Sequence, residues 1–140
     1  MKKIICTLFC IFTVPVFAYN NTNFRGSYGF RVSGMSSFIV ANEAVTVGTG
    51  IIIADGKGKV TGHGTFRTGG IRCEGTIEGL YQVNADGTGF LATVFAPTTP
   101  GCYRAAFDSD MVLINNGNSF EISSMENDYL SGTLTKQAIR

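Results

Sequence analysis

From Phe24 to Gln137 apolar and polar residues alternate every second position, the repeat of a strand with one buried face, and nowhere in that stretch do they recur at helical spacing. Phe24, Gly26, Tyr28, Phe30 and Val32 share one face, with Arg25, Ser27, Gly29 and Arg31 on the other. The same alternation places Val45, Val47, Thr49, Ile51 and Ile53 on an apolar, core-facing side. It recurs at Ile71, Cys73, Gly75, Ile77, Gly79, Tyr81 and Val83, set against Arg72, Glu74, Thr76, Glu78 and Gln82. Further strands are predicted over Lys59–Arg67, Thr88–Ala96, Cys102–Phe107, Met111–Asn115, Ser119–Met125 and Tyr129–Gln137, with Ser37–Val40 as one more candidate. That makes about eight to ten strands, and at most one helical turn over Ala41–Ala44.

The connections are short. Asp55-Gly56-Lys57-Gly58 and Asp86-Gly87-Thr88-Gly89 each set Asp before Gly between apolar runs, where the carboxylate can bond its own backbone and Gly accepts a positive φ. Asn115-Asn116-Gly117-Asn118 and Asp108-Ser109-Asp110 read as turns by the same chemistry, and Pro97–Gly101 as a longer loop. Consecutive hairpins imply an all-β, antiparallel up-and-down meander, which has to remove its edges by closing into a small barrel or by folding into a β-sandwich. Glycines within the strands (Gly62, Gly64, Gly75, Gly79, Gly89 and Gly132) favour the tightly coiled barrel.

Composition then narrows the class. The chain has 140 residues, 15% of them charged, with 18 Gly, no Trp and a net charge of +1, which fits one small domain and excludes a coiled coil or a basic nucleic-acid-binding surface. Lys2 and Lys3, the apolar run Ile4–Val14 and the small residues Val16 and Ala18 make Met1–Ala18 a signal peptide cleaved before Tyr19, leaving a single domain over Tyr19–Arg140. Removing the two lysines leaves nine basic side chains against ten acidic ones. No second apolar run follows, so the expected product is secreted or periplasmic, with no membrane anchor. Cys6 and Cys10 depart with the leader, and Cys73 and Cys102 remain as a disulfide pair closing a loop worth about 3–4 kcal/mol.

The segments Phe24-Arg25-Gly26-Ser27-Tyr28-Gly29-Phe30, Ala54-Asp55-Gly56-Lys57-Gly58-Lys59-Val60-Thr61-Gly62 and Gly79-Leu80-Tyr81-Gln82-Val83-Asn84-Ala85-Asp86-Gly87-Thr88-Gly89 carry a resemblance. The chain resembles a group of uncharacterised secreted bacterial proteins with the pattern G-x-Y-x-F, then D-G-x-G, then G-x-Y-x-V-x-x-D-G-x-G. The match runs from Phe24 to about Leu91. It implies a small up-and-down barrel similar to calycins or to the allene oxide cyclase barrel, and it transfers no catalytic residue.

Candidate chemistry is sparse. His63, the only histidine, shares a wet strand face with Thr61, Thr65 and Arg67 and has no nucleophile beside it, so it reads as a solvated strand residue. Glu74 and Glu78 stand about 13 Å apart by strand rise, wider than a glycosidase pair, with Arg67 and Arg72 as ordinary cross-strand partners. Each Asp-Gly turn offers one carboxylate where calcium takes six to eight oxygens. No catalytic residue, metal ligand or cofactor is therefore assigned. The abundant aromatic rings are mostly core, and Tyr28, Phe30, Phe66, Tyr81 and Tyr103 are the candidates to line an apolar pocket.

Two functional classes follow: a binding module for a small apolar ligand or a protein partner, and a cyclase or isomerase with an apolar cavity. Binding is favoured because convergent catalytic groups are absent from the pattern, and oligomeric state is left open. Export is checked by the intact mass of the protein recovered from its secretion route. The expected mass is that of Tyr19–Arg140 less two hydrogens, and a mass that retains residues before Tyr19 rejects the assigned cleavage.

Overall fold

The structure, a computed structural model, describes residues 18–36, 44–124 and 129–138. Eight antiparallel strands follow one another in chain order: β1 (Arg25–Ser36), β2 (Ala44–Asp55), β3 (Lys59–Thr68), β4 (Ile71–Val83), β5 (Thr88–Pro97), β6 (Ala105–Ile114), β7 (Ser119–Ser124) and β8 (Tyr129–Lys136). Pairing of β8 with β1, from Tyr28 opposite Lys136 to Met35 opposite Tyr129, closes the sheet into a barrel. Closure leaves no strand at the edge of an open sheet, which is why a meander of short hairpins ends here. The sequence-based candidates at residues 37–40 and 41–43 lie outside the described residues, as does the Met125 end of the seventh strand.

Two expectations are corrected. Asp108-Ser109-Asp110 is not a turn: it lies within β6, which runs unbroken through the two strands predicted over Cys102–Phe107 and Met111–Asn115. The three residues simply alternate, with both aspartates exposed and Ser109 on the inner face, and no glycine is present to reverse the chain. The second correction concerns β2. Val45, Val47, Ile51 and Ile53 point outward, and Thr46, Gly48, Gly50, Ile52 and Ala54 point inward.

The reason is lateral. Register sets Gly50 between Phe30 on β1 and Gly64 on β3, and Gly64 beside Gly75 on β4. A Cβ at Gly50 would come within 2.6 Å of the Phe30 ring, and one at Gly64 within 2.7 Å of it. Gly48 is related in the same way to the ring of Phe66, at 2.5 Å. Rings from the flanking strands thus lie across the floor that glycines of β2 and β3 leave open, and Val45, Val47, Ile51 and Ile53 take the outer face.

One mouth of the barrel is packed shut. The segment before β1 makes a single 3-10 turn, Asn21–Asn23, capped by the Asn20 side chain, and delivers Phe24 to the axis. The Phe24 ring lies 4.7 Å from Tyr28, 4.7 Å from Tyr81 and 4.5 Å from Phe120, centroid to centroid. The Tyr28 hydroxyl donates to the Gly117 carbonyl at 2.9 Å, the Tyr81 hydroxyl donates to the Phe24 carbonyl at 2.7 Å, and the Asn21 side chain accepts from the Val83 N–H at 2.8 Å. Asn115, Asn116 and Gly117 all take positive φ, turning β6 into β7 tightly enough to present that carbonyl.

At the opposite end the Cys73–Cys102 disulfide, with Cα atoms 5.9 Å apart, ties the β5–β6 loop to β4. The same loop is held by Thr98 N–H donating to the Glu74 carbonyl at 2.7 Å and by Glu74 N–H donating to Thr99 Oγ1 at 2.9 Å. Phe24→Ala removes the plug and leaves its three ring partners facing a void. The expected loss in urea unfolding is about 3–5 kcal/mol, and a loss under about 1 kcal/mol would show that the mouth is not a single packed unit.

Candidate functional site

The interior divides into two halves. Around Phe24 three rings are in contact, and beyond the ring of Phe30 a cavity of about 60 Å³ remains. Phe66 forms its floor, in edge contact with Phe95 at 4.8 Å, stacked on Phe107 at 5.7 Å and tilted against Phe30 at 6.0 Å. Val32, Ile52, Leu130 and Leu134 complete the apolar wall. The wall contributed by β5, β6 and β7 differs, because Thr93, Ser109 and Ser124 face inward there. Ser109 is the register partner of Leu91 on β5 and of Ser124 on β7, so the hydroxyls fall on three adjacent strands. Within the described residues the hydroxyls of Thr93 and Ser109 make no hydrogen bond, and no fully buried polar side-chain atom lacks a partner. Both side chains line the cavity.

Three further polar side chains, Ser36, Thr46 and Thr68, are wholly buried toward the same end of the barrel. Thr46 Oγ1 and Thr68 Oγ1 lie 2.8 Å apart and bond each other, which removes them from the chemistry available to a ligand.

The five sequence-based pocket candidates are dispersed. Phe30 and Phe66 line the cavity. Tyr28 and Tyr81 sit in the packed half with their hydroxyls committed to backbone carbonyls, and burial pushes both phenols above their ordinary range, so they stay protonated. Tyr103 lies 58% exposed on the β5–β6 loop. Phe95, Phe107, Thr93 and Ser109 were not singled out as lining residues. Parity along β5 and β6 carries that information once β6 is read as one strand, since Phe107 and Ser109 then share the inner face.

On the outer wall His63 is exposed on β3, and Arg72 forms an ion pair with Glu74 on β4. Asp55 and Asp86 spend their carboxylates on their own turns. Asp55 Oδ1 accepts from the N–H of Lys57 at 2.6 Å and of Lys59 at 3.0 Å, and Asp86 Oδ1 accepts from the Thr88 hydroxyl at 2.7 Å and the Thr88 N–H at 2.9 Å. Among the described residues no three His, Cys, Asp or Glu side chains come together as a metal site, and no helix is long and apolar enough to cross a membrane. Neither a protein-family model nor a curated protein matches the chain.

The turn carboxylates give a pH dependence of known sign. The Lys59 and Lys57 N–H groups hold the Asp55 carboxyl below its usual range, and the Thr88 hydroxyl and N–H do the same for Asp86. A carboxyl lowered in the folded state contributes stability that is present above the ordinary value of about 3.9 and lost as pH falls through the folded value. Asp55→Asn keeps an acceptor and removes the charge, so the difference in thermal midpoint between wild type and variant is expected at neutral pH and should vanish in acid. A difference that is constant between pH about 7 and pH about 2 would exclude the charge as its source.

Proposed function

We propose that the protein is an exported barrel that binds a small, largely apolar molecule carrying one hydrogen-bonding group. The observation that supports this is the asymmetry of the interior: one half is plugged by Phe24, and the other keeps a ring-lined space whose wall includes Thr93 and Ser109, neither of which makes a side-chain hydrogen bond among the described residues. A space kept only for folding needs neither feature, because an apolar core is most stable when filled and free of polar groups. The disulfide fits an oxidising compartment, in keeping with export.

The volume sets the scale of the ligand. At about 60 Å³ the cavity is well short of the ~150 Å³ that holds benzene in a protein core. It accepts a few heavy atoms as it stands. A six-membered ring enters with a shift of Phe107, the only partly buried ring of the four around the cavity. The apolar wall of β1, β2 and β3 would take the body of the ligand, and Thr93 and Ser109 its polar group.

Benzene and phenol are the discriminating probes, followed by ligand-observed NMR on the disulfide-bonded protein. Saturable binding of both is expected, with phenol tighter by about 2- to 13-fold, the worth of one net hydrogen bond. Thr93→Val with Ser109→Ala should abolish the preference for phenol and leave benzene bound. If neither probe saturates at millimolar concentration, the barrel interior is not a binding site.

A further inference from the structure

The outward stripe of β2 is the largest departure from what the sequence pattern predicts. Val45, Val47, Ile51 and Ile53 are 67%, 41%, 37% and 55% exposed along one strand. Register frames them with bases. Arg31 lies opposite Thr49 on the β1 side, Arg67 lies opposite Val47 on the β3 side, and both arginines are exposed.

Strand order places β6 four strands from β2 in either direction round the eight-stranded barrel, and so on the opposite side. That face is also partly apolar, with Val112 at 50% and Phe90 at 40% exposure, but its charges are acidic. Asp108 and Asp110 stand exposed on β6, Phe90 is the register partner of Asp110, and Glu121 on β7 is the partner of Val112. Arg72 with Glu74 is the one ion pair among the described residues, so among those residues Arg31, Arg67, Asp108, Asp110 and Glu121 have no ion-pair partner.

We propose that the protein associates with further copies of itself head to tail, the β2 face of one barrel seating on the β5–β7 face of the next. Like faces repel: two β2 faces bring arginines together, and two β6 faces bring carboxylates together. Only the unlike pairing joins apolar surface to apolar surface with opposite charges at its border. The apolar stripe supplies the attraction and the charges select the partner and its orientation. Because the two faces lie on opposite sides of one barrel, the contact is heterologous and does not close, and the product is a linear chain with a free face at each end.

The test is sedimentation velocity of the disulfide-bonded protein at low ionic strength, from micromolar to millimolar concentration. The weight-average mass is expected to rise without a plateau and at least to double. Arg31→Glu with Arg67→Glu should be monomeric, and so should Asp108→Lys with Asp110→Lys. Mixing these two variants restores complementary charge at every contact, so association should return, which also shows that both are folded. A wild type that stays monomeric throughout overturns the proposal. So does a variant that associates as the wild type does, since the charges then do not select the partner, and so does a monomer that instead sediments with anionic phospholipid vesicles.

Discussion

An eight-stranded barrel has just enough room inside for its own side chains, and this chain meets that limit by laying phenylalanine rings over glycines. Phe30 covers Gly50 and Gly64, and Phe66 covers Gly48. A ring placed where the neighbouring strand has no Cβ occupies the interior without forcing the wall outward. Almost everything else about the molecule follows from that arrangement. Where those rings lie the inner faces of β2 and β3 are glycine, Val45, Val47, Ile51 and Ile53 of β2 go outside, and Phe66 becomes the meeting point of Phe30, Phe95 and Phe107.

The two ends of the barrel then solve the same problem differently. At one end the chain supplies an extra ring from outside the sheet, and Phe24, Tyr28, Tyr81 and Phe120 pack edge to face with every hydroxyl satisfied. At the other end the strands themselves have to fill the space, and Thr93 and Ser109 occupy positions where larger apolar residues would complete the core. Small polar side chains there leave volume and hydrogen-bonding capacity in the same place. That coincidence gives the cavity its amphipathic character. The Cys73–Cys102 bond and the Thr98–Thr99 contacts hold the β5–β6 loop beside this end, so the volume is bounded by a braced wall.

The outer surface is as unequal as the interior. Exposed apolar residues are spread round the barrel, but their charged neighbours are sorted, with bases beside β2 and acids beside β6 and β7. A barrel with no free strand edges cannot associate by adding strands. Contacts with other molecules must then be made by side chains on its faces, where the sorting of charge is felt.

Much of this was legible along the chain. Period-two alternation, Asp-Gly turns and the absence of helical spacing pointed to an antiparallel meander, and the pairing expected of Cys73 with Cys102 is the crosslink that the structure contains. These are local properties: alternation reports the pleat and turn residues report φ. Which face of β2 turned inward was not local, because hydrophobicity alone favoured Val45, Val47, Ile51 and Ile53, and the deciding rings belong to β1 and β3. The cavity was equally out of reach. Tyr28 and Phe30 are near neighbours on one strand face, yet only the position of Phe24 across the mouth places the first in a packed cluster and leaves the second beside open space. Sequence determined that the chain would be a small antiparallel β-structure and favoured its closure; tertiary packing decided that it closed and where its rings, its hydroxyls and its exposed valines and isoleucines would lie, since those places depend on residues that meet only once the barrel has closed.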